Sequence, residues 1–145
     1  TLPIMRQKLN IIALGVKDFE ESLHFYETGL GWKKSAASQG DIVFFPLGGM
    51  VLAIYPRQAL AEDITIKDTG TGFSVITLAY NAKNEHEVDE VLQKAQTAGA
   101  TILKPAQKVF WGGYSGYFSD PNGYVFEVAH NPFFGFDNHD NLILP

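Results

Sequence analysis

The stretch that most restricts the fold is residues 111–131, WGGYSGYFSDPNGYVFEVAHN, which predicts a β-hairpin. At its centre, residues 120–123 read Asp-Pro-Asn-Gly, in which proline presets a φ of about −65° and Asn and Gly tolerate a positive φ. The flanking segments 114–119 and 124–130 are rich in aromatic and β-branched residues, which is typical of strands. The chain must therefore build an antiparallel sheet around this reversal.

An acidic residue lies in the middle of the second strand of this hairpin. The period of two in a strand places Glu127 on one face with Val125 and Ala129, and the other face carries Tyr124, Phe126, Val128 and His130. Burying a carboxylate is costly unless a partner compensates. Glu127 therefore needs an ion pair with a strand lysine such as Lys33 or Lys34, exposure at the mouth of a pocket, or a function.

A first run of elements precedes this hairpin. Residues 9–16 are a dense apolar strand, and Asp18 then begins a helix as its N-cap, with Glu21 in the capping-box position and Gly29 at the C-terminal end. Three short strands are predicted over 32–37, 42–45 and 51–55. The order is strand, helix and three strands.

The same order then returns after a polar segment. The alternating strand 73–80 precedes a helix that Asn84 caps, with Glu87 in the capping-box position, and that Gly99 ends. A strand over about 101–108 and the two hairpin strands complete the second copy. The predicted fold class is α+β, with two βαβββ modules.

A chain of 145 residues suits one domain, which would bury roughly two-thirds of its unfolded surface. We therefore predict a single domain over 1–145. Its parts are a first module at about 8–56, a loop at 57–71, a second module at 72–131 and a C-terminal tail at 132–145.

The composition excludes several classes of protein. With 46% hydrophobic and 19% charged residues, the chain is too apolar for disorder, and charges interrupt any run near the ~18 residues of a membrane span. A net charge of −5 with dispersed basic residues argues against nucleic acid as a partner. The absence of cysteine excludes disulfides, thiolate metal sites and cysteine nucleophiles.

The N-terminal residues show no secretory signal, since no basic region precedes a long apolar stretch. Met5-Arg6-Gln7-Lys8 has the form of a natural start, so we expect residues 1–4 to be an added or upstream remnant. The expected location is the cytoplasm.

Several segments together resemble a known family. They are Leu14-Gly15-Val16-Lys17-Asp18, Ser22, Phe25-Tyr26, Leu30-Gly31-Trp32, Asp120-Pro121-Asn122-Gly123-Tyr124 and Glu127-Val128. The chain resembles the vicinal oxygen chelate superfamily, which includes glyoxalases, bleomycin-resistance proteins and extradiol dioxygenases. The resemblance implies two βαβββ modules whose sheets form a cup, with the helices outside and the ligand inside.

The resemblance also implies where a metal ion would bind. Enzymes of the family generally hold one divalent ion with His, Gln and Glu side chains from the first and fourth strands of each module. In this chain those positions fall at Ile11, Ala53, Val75 and Glu127. A metal ion needs about three or four protein donors, and only Glu127 supplies one. We therefore expect no metal at the family site and no other cofactor.

The four histidines do not restore that site. His24 and His86 are predicted on helices, and His130 lies on the strand face opposite Glu127. His139 follows Asp137 in the polar tail and would approach a ligand only if the tail folds over the cup. Chance clustering in a polar tail is the competing interpretation.

The face that carries Glu127 predicts a pocket. Its expected lining is Ile11, Ala13, Val51, Ala53, Tyr55, Val75, Thr77, Ala79 and Glu127, with Trp111 and Tyr114 or Tyr117 at the rim. Such an apolar surface with few polar groups is the usual make-up of a small-molecule site, although the side chains could also simply fill the space. The acid and the aromatic rings favour a cationic or planar ligand.

Three functions remain open. The first is a protein that binds a small organic molecule without the family metal, as bleomycin-resistance proteins do. The second is a lyase, isomerase or dioxygenase of the lactoylglutathione-lyase type with a displaced metal site. The third is a metal-free enzyme in which Glu127 is a general base. We also expect a homodimer, because Phe133, Phe134 and Phe136 would otherwise expose an apolar patch.

Overall fold

The computed structural model describes residues 7, 9–63, 65–70, 72–74 and 76–145. The interpretation of residues 1–4 and the predicted role of Val75 therefore lie outside the described residues. The predicted α+β class is confirmed, with helices and two mixed sheets. The chain forms two compact units, and each is described by itself. One contains the described residues up to Phe19 and those of Trp32–Asp68, and the other contains Glu20–Gly31 and the described residues from Thr69 onward.

The first unit contains a three-stranded sheet in the order β1-β3-β2. Its strands are β1 (Ile11–Val16), β2 (Val43–Pro46) and β3 (Val51–Pro56), and β1 runs parallel to β3 while β2 runs antiparallel to it. One face of this sheet is buried and apolar, and it carries Leu14, Val16, Val43, Phe45, Leu52 and Ile54. The alternation of the sequence thus sets which face becomes the core of this unit.

The strand predicted at 32–37 is wrong. A backbone bond joins this segment to β2, from the Ser35 N–H to the Phe44 carbonyl oxygen at 2.7 Å. The Phe44 N–H, which a paired strand would use, instead donates to the Ser38 hydroxyl oxygen at 3.0 Å. Because a side chain takes that donor, the ladder does not continue along β2.

A second correction concerns the predicted loop at 57–71. Residues Arg57–Asp63 form a short helix, α2. A Cβ added to Gly15 would lie 3.0 Å from the Arg57 Cβ and 3.3 Å from a Leu60 methyl carbon, so α2 packs directly over this glycine. The Arg57 guanidinium also holds the Asp68 carboxylate through two hydrogen bonds of 2.6 and 2.5 Å, which fixes the chain beyond the helix.

The helix predicted after Asp18 is present. It begins as α1 (Phe19–Leu23) and continues as a wider π-helical segment, His24–Gly29, which closes with a 2.8 Å bond from the Leu30 N–H to the Phe25 carbonyl. The segment ends at Gly29, as predicted, and the left-handed residue that follows it is Gly31, with φ of +75°. Gly29 is small for another reason, since a Cβ there would lie 2.6 Å from the Ala98 Cβ.

The second unit contains the complete strand-helix-three-strand order. Its elements are β4 (Thr77–Asn81), α3 (Glu85–Ala98), β5 (Thr101–Lys108), β6 (Tyr114–Ser119) and β7 (Val125–His130). The sheet order is β4-β7-β6-β5, with β4 parallel to β7 and the other pairs antiparallel. The hairpin and its turn are confirmed, and β4 begins at Thr77, later than the predicted start at residue 73.

The ends of α3 follow the predicted capping pattern. The Asn84 side chain accepts a hydrogen bond from the Glu87 N–H at 2.8 Å, and Gly99 ends the helix with a φ of +119°. The Glu87 carboxylate accepts from the Lys83 N–H at 2.9 Å, one residue earlier than a standard capping box. These contacts fix where α3 starts above the sheet.

Helix α3 covers one face of the second sheet by packing on β6 and β7. Its buried residues Val88, Leu92 and Ala95 lie on the side of Phe118 and Phe126, whose rings stack at 4.9 Å. The final residues add a small hairpin of β8 (Gly135–Phe136) and β9 (Leu142–Ile143). Among the described residues, no helix has the length and apolar composition needed to cross a bilayer. The face of the sheet opposite α3 carries Glu127.

Candidate functional site

Four residues lie in one row across the second sheet. The strand register pairs Ala79 on β4 with Glu127 on β7, Glu127 with Tyr117 on β6, and Tyr117 with Lys104 on β5. Paired residues on neighbouring strands point to the same face. The row therefore presents a small residue, a carboxylate, a phenol and an ammonium group on the side opposite α3.

Glu127 is half-buried, and its neighbour across the sheet is a polar side chain. The pKa of the Tyr117 phenol is raised, first by burial and then by the charge of Glu127 and hydrogen bonding to it. Tyr117 is therefore a neutral hydrogen-bond donor beside a carboxylate acceptor. The sequence indicated the small apolar neighbours of Glu127 along the strand, but it could not show that Tyr117 faces it from β6.

Small side chains surround this row. Thr77 and Ala79 on β4 are exposed, and Ser115, Ser119 and Ala129 lie beside Tyr117 and Glu127 on the same face. This face of the second sheet is therefore more polar than the apolar lining predicted from the sequence. Ser115 and Ala129 are buried, whereas the carboxylate of Glu127 and the phenol of Tyr117 are half-buried and therefore partly accessible to a ligand.

The predicted lining residues of the first unit also share one face. Ile11 pairs with Val51, Ala13 pairs with Ala53, and Tyr55 lies opposite Gly15. Ile11 and Ala13 are exposed, while Ala53 is buried. Because α2 packs over Gly15 on this face, it covers part of the surface that the sequence predicted to be open. Their role as ligand contacts stays a prediction.

Of the predicted rim residues, Tyr114 has another position, and the role of Trp111 at the rim stays a prediction. Tyr114 pairs with His130 on the α3 side of the sheet, and its hydroxyl donates to the Asp89 carboxylate of α3 at 2.8 Å. It does not share the face of Glu127, so its assignment to the rim is wrong. The indole of Trp111 is half-buried and lies over Gly113 in the β5–β6 turn, where a Cβ would meet its ring at 1.7 Å.

The structure supports the separation of the histidines from Glu127. His24 and His86 are exposed on helices, and His86 contacts Glu90 at 2.7 Å. His130 lies on the opposite face from Glu127, and its Nδ1 is 3.1 Å from the Ala82 carbonyl oxygen. Across the described residues, no three His, Asp or Glu side chains come together in a way that could hold a metal ion.

The donors at the family metal positions do not fit a metal ion. Ile11 and Ala53 have no donor atom, and Val75, outside the described residues, has an aliphatic side chain. In the register of β4 and β7, the residue opposite Glu127 is Ala79, which also lacks a donor. A single carboxylate with a phenol beside it is not a donor set for a divalent ion.

The polar cluster in the tail forms a turn. The Asp137 carboxylate accepts the N–H groups of His139 and Asn141 at 2.8 and 2.9 Å, and these bonds lower the pKa of Asp137. The Asp140 carboxylate forms an ion pair with Lys83 at 2.5 Å. The two acids near His139 thus stabilise the small C-terminal hairpin.

The structure contains a buried polar cluster that the sequence pattern does not indicate. The Tyr26 hydroxyl donates to Asp120 Oδ2 at 2.8 Å, and Asp120 Oδ1 accepts the N–H groups of Asn122 and Tyr124, each at 2.9 Å. The Asn122 amide donates to the Ser22 hydroxyl at 2.6 Å. The hairpin turn is therefore tied to the π-helical segment, although the sequence pattern identified Asp120 only as a turn residue.

Burial shifts the pKa values of this cluster. Burial raises the pKa of Asp120, although the hydrogen bonds from Tyr26 and the turn N–H groups oppose that rise. Burial and the neighbouring Asp120 carboxylate raise the pKa of Tyr26 well above its ordinary value. Both groups are enclosed, with 0% and 4% of Tyr26 and Asp120 exposed, so the cluster supports the fold and does not contact a ligand.

Comparisons with known proteins agree with this architecture. The chain is 33% identical to a glyoxalase-related enzyme from Fulvimarina pelagi, with a TM-score of 0.85 over 95% of this chain and 98% of that chain. It is 28% identical over 122 residues to the metallothiol transferase FosB of Lysinibacillus sphaericus (strain C3-41), covering 83% of this chain and 80% of that protein. A lactoylglutathione lyase from Agrobacterium tumefaciens has the same fold, at 22% identity and a TM-score of 0.68 over 92% of this chain and 100% of that chain.

A protein-family model matches most of the chain. The model of the Glyoxalase/Bleomycin resistance protein/Dioxygenase superfamily matches residues 8–128, which include the described strands β1 to β6 and most of β7. The doubled strand-helix-strand pattern, the hairpin turn and the carboxylate on β7 all fall within the matched region. The chain therefore belongs to the Glyoxalase/Bleomycin resistance protein/Dioxygenase superfamily.

Proposed function

We propose that this protein binds a small organic molecule on the face of the second sheet that carries Glu127, without a metal ion at the family position. The observation that carries the proposal is the Glu127 and Tyr117 pair, half-buried on a face that α3 leaves uncovered. An acceptor and a neutral donor side by side, among small side chains, can orient one polar group of a ligand.

The names of the relatives support small-molecule chemistry but not a shared mechanism. One relative is named a metallothiol transferase, and a structural neighbour is named a lactoylglutathione lyase. The donor positions of this chain argue against metal-dependent chemistry at the family site, since Ile11 and Ala53 offer no donor atom. We therefore transfer to this protein the binding of a small molecule and not the metal chemistry of those proteins.

Metal-free catalysis is the second candidate. Tyr117 keeps its proton because its pKa is raised, and Glu127 beside it can accept one. A ligand bound between them would meet a proton donor and a proton acceptor on neighbouring strands. Such a pair could catalyse an isomerisation or elimination that needs only proton transfer.

Metal analysis, followed by ligand-binding measurements, tests the metal-free binding and metal-free catalysis proposals. We expect purified protein, incubated with zinc, nickel or manganese and then dialysed, to retain far less than one ion per chain. About one ion per chain, lost in Glu127→Ala, would overturn the metal-free proposal. Binding of small-molecule fragments is then monitored by NMR. A fragment that binds at the site should shift the amide signals of Glu127 and Tyr117 in the wild-type protein, and much less in Glu127→Gln.

Turnover separates binding from catalysis. If a bound fragment changes chemically, Tyr117→Phe should slow the reaction while binding persists, because the variant removes the proton donor and keeps the ring. If the fragment is unchanged after prolonged incubation, the protein is a binding protein for that compound. A fragment library that shifts only amides distant from Glu127 would contradict both functions.

A further inference from the structure

Two opposite charges share the row across the second sheet. Glu127 lies on β7 and Lys104 on β5, and β6 with Tyr117 runs between them. Neighbouring strands are about 4.8 Å apart, so the two Cα atoms lie about 10 Å from each other. A neutral phenol therefore separates a carboxylate from an ammonium group on one side of the sheet.

Neither charge is neutralised by another within the described part of the chain. Lys104 is exposed and forms no ion pair there, and the neighbour of Glu127 across the sheet is the Tyr117 phenol. The α3 side of the same sheet is different. Lys108, also on β5, contacts the Glu85 carboxylate at 2.9 Å on that side. On the face opposite α3, a carboxylate and an ammonium group remain without an opposite charge beside them.

The space around the row is suited to an elongated ligand. Ala79 and Thr77 leave room beside Glu127 at the β4 edge, and both are exposed. The Tyr117 ring lies at the centre, where a flat group could stack on it. Lys104 lies on the other edge strand, β5, and its long side chain is exposed.

We propose that the ligand of this face is dipolar, with a cationic group at Glu127, an anionic group at Lys104 and a flat or short apolar spacer over Tyr117. The chemical class is an amino-substituted carboxylic or phosphonic acid whose charged groups lie several ångströms apart. This inference rests on the proposed function, because it describes the ligand of the same face. A ligand with both charges satisfies two side chains that a singly charged ligand would leave unpaired.

Three matched probes test the inference. Para-aminomethylbenzoate carries both charges on one ring, while benzylamine and benzoate each carry one of them. We expect the dipolar probe to bind wild-type protein about tenfold more tightly than either of the others, the scale of one charge-assisted hydrogen bond. Isothermal titration or NMR line shifts measure the three dissociation constants.

Substitutions assign each charge of the probe to a residue. Glu127→Gln should weaken the dipolar probe about tenfold and leave benzoate unchanged, and Lys104→Met should weaken it about as much and leave benzylamine unchanged. Lys108→Met is the control, since this lysine lies on the same strand but on the α3 side. The control should bind all three probes as the wild-type protein does.

The outcomes separate the two proposals. If benzylamine binds as tightly as the dipolar probe and Glu127→Gln weakens both, the proposed function stands and the dipolar inference is wrong. The same holds if Lys104→Met has no effect, because Lys104 would then serve only to keep the exposed edge of β5 from pairing. If none of the three probes shifts the amides of Glu127 or Tyr117 at millimolar concentration, the dipolar inference is wrong, and the proposed function also fails if the fragment library shifts only amides distant from Glu127.

Discussion

At the residue scale, the buried pair of Tyr26 and Asp120 offers a direct test of stability. Tyr26→Phe removes the hydroxyl that donates to Asp120 at 2.8 Å and leaves a buried carboxylate oxygen without that donor. We expect the free energy of unfolding to fall by about 1–3 kcal/mol, the cost of an unsatisfied buried polar group. Urea denaturation measures this change. A loss below about 0.5 kcal/mol would show that water replaces the hydroxyl.

The same aspartate makes a prediction about pH. The pKa of Asp120 is raised in the folded protein, so the folded state binds this proton more tightly than the unfolded state does. The contribution of Asp120 to stability is therefore largest below its ordinary pKa of 3.8 and is lost as the pH rises through the folded pKa. Asp120→Asn keeps an acceptor for the two turn N–H groups and removes the titration.

Comparing the wild-type protein with Asp120→Asn isolates the contribution of Asp120 to the pH dependence of stability. Other carboxylates titrate in both proteins and largely cancel in the difference, including Asp68 and Asp137, whose pKa values are lowered. Relative to Asp120→Asn, the wild-type protein should gain stability as the pH falls from neutral toward 3.8. Unfolding curves at several pH values measure the difference. If the wild-type protein instead lost stability relative to Asp120→Asn on acidification, the raised pKa of Asp120 would be contradicted.

At the element scale, the contact between the π-helical segment and α3 depends on a glycine. A Cβ at Gly29 would lie 2.6 Å from the Ala98 Cβ, so Gly29→Ala forces the two elements apart. We expect a loss of about 1–3 kcal/mol in the free energy of unfolding, as overpacking generally causes. Adding Ala98→Gly restores the space, and the double variant should recover part of that loss despite the lower helix propensity of glycine.

Gly31→Ala provides the matched control for this element. Gly31 has a φ of +75°, and nothing lies within 4 Å of a Cβ built there. Its substitution costs only the left-handed backbone, about 1–2 kcal/mol, and Ala98→Gly should not relieve that cost. Rescue of Gly31→Ala by Ala98→Gly would show that the loss at Gly29 is not a steric contact.

The elements also show how far the sequence determines the fold. Helix α3 and the hairpin of β6 and β7 were predicted because their signals are local, namely the Asn84 cap, Gly99 and the turn at residues 120–123. Residues 32–37 have strand composition, but the Ser38 hydroxyl takes the N–H that would extend the sheet. The seven residues of α2 are too few to show a helical period against the surrounding polar segment.

The candidate site was predictable only in part, because the sequence shows the local pattern of one strand but not the contacts between strands. Strand alternation gives the face of Glu127, because that is a property of one strand. The positions of Tyr117 and Lys104 beside Glu127 depend on the register between neighbouring strands. In the pairing of β5 with β6, that register shifts on both sides of Lys104. Tyr114 was assigned to the rim because composition does not distinguish the two faces of β6, whereas the structure directs it to Asp89.

At the scale of the whole molecule, exposed aromatic residues in the second unit bear on its assembly. Phe133 is 69% exposed and Phe110 is fully exposed, while Phe134 and Phe136 are half-buried. The predicted patch of three phenylalanines is therefore smaller than expected, but the exposed leucine and isoleucine of β9 extend the apolar surface of the C-terminal hairpin. Apolar surfaces of this kind commonly mark a protein interface.

We predict that the protein is a homodimer in which this hairpin contacts a second copy. Light scattering at micromolar concentration should give twice the mass of the 16.0 kDa chain. Phe133→Ser should shift the equilibrium toward the monomer without lowering the helix content measured by circular dichroism, because the side chain is exposed in the single chain. Phe110→Ser tests whether the fully exposed ring of Phe110 also takes part. A monomer mass for the wild-type protein would contradict the prediction, and the phenylalanine rings would then remain exposed to solvent.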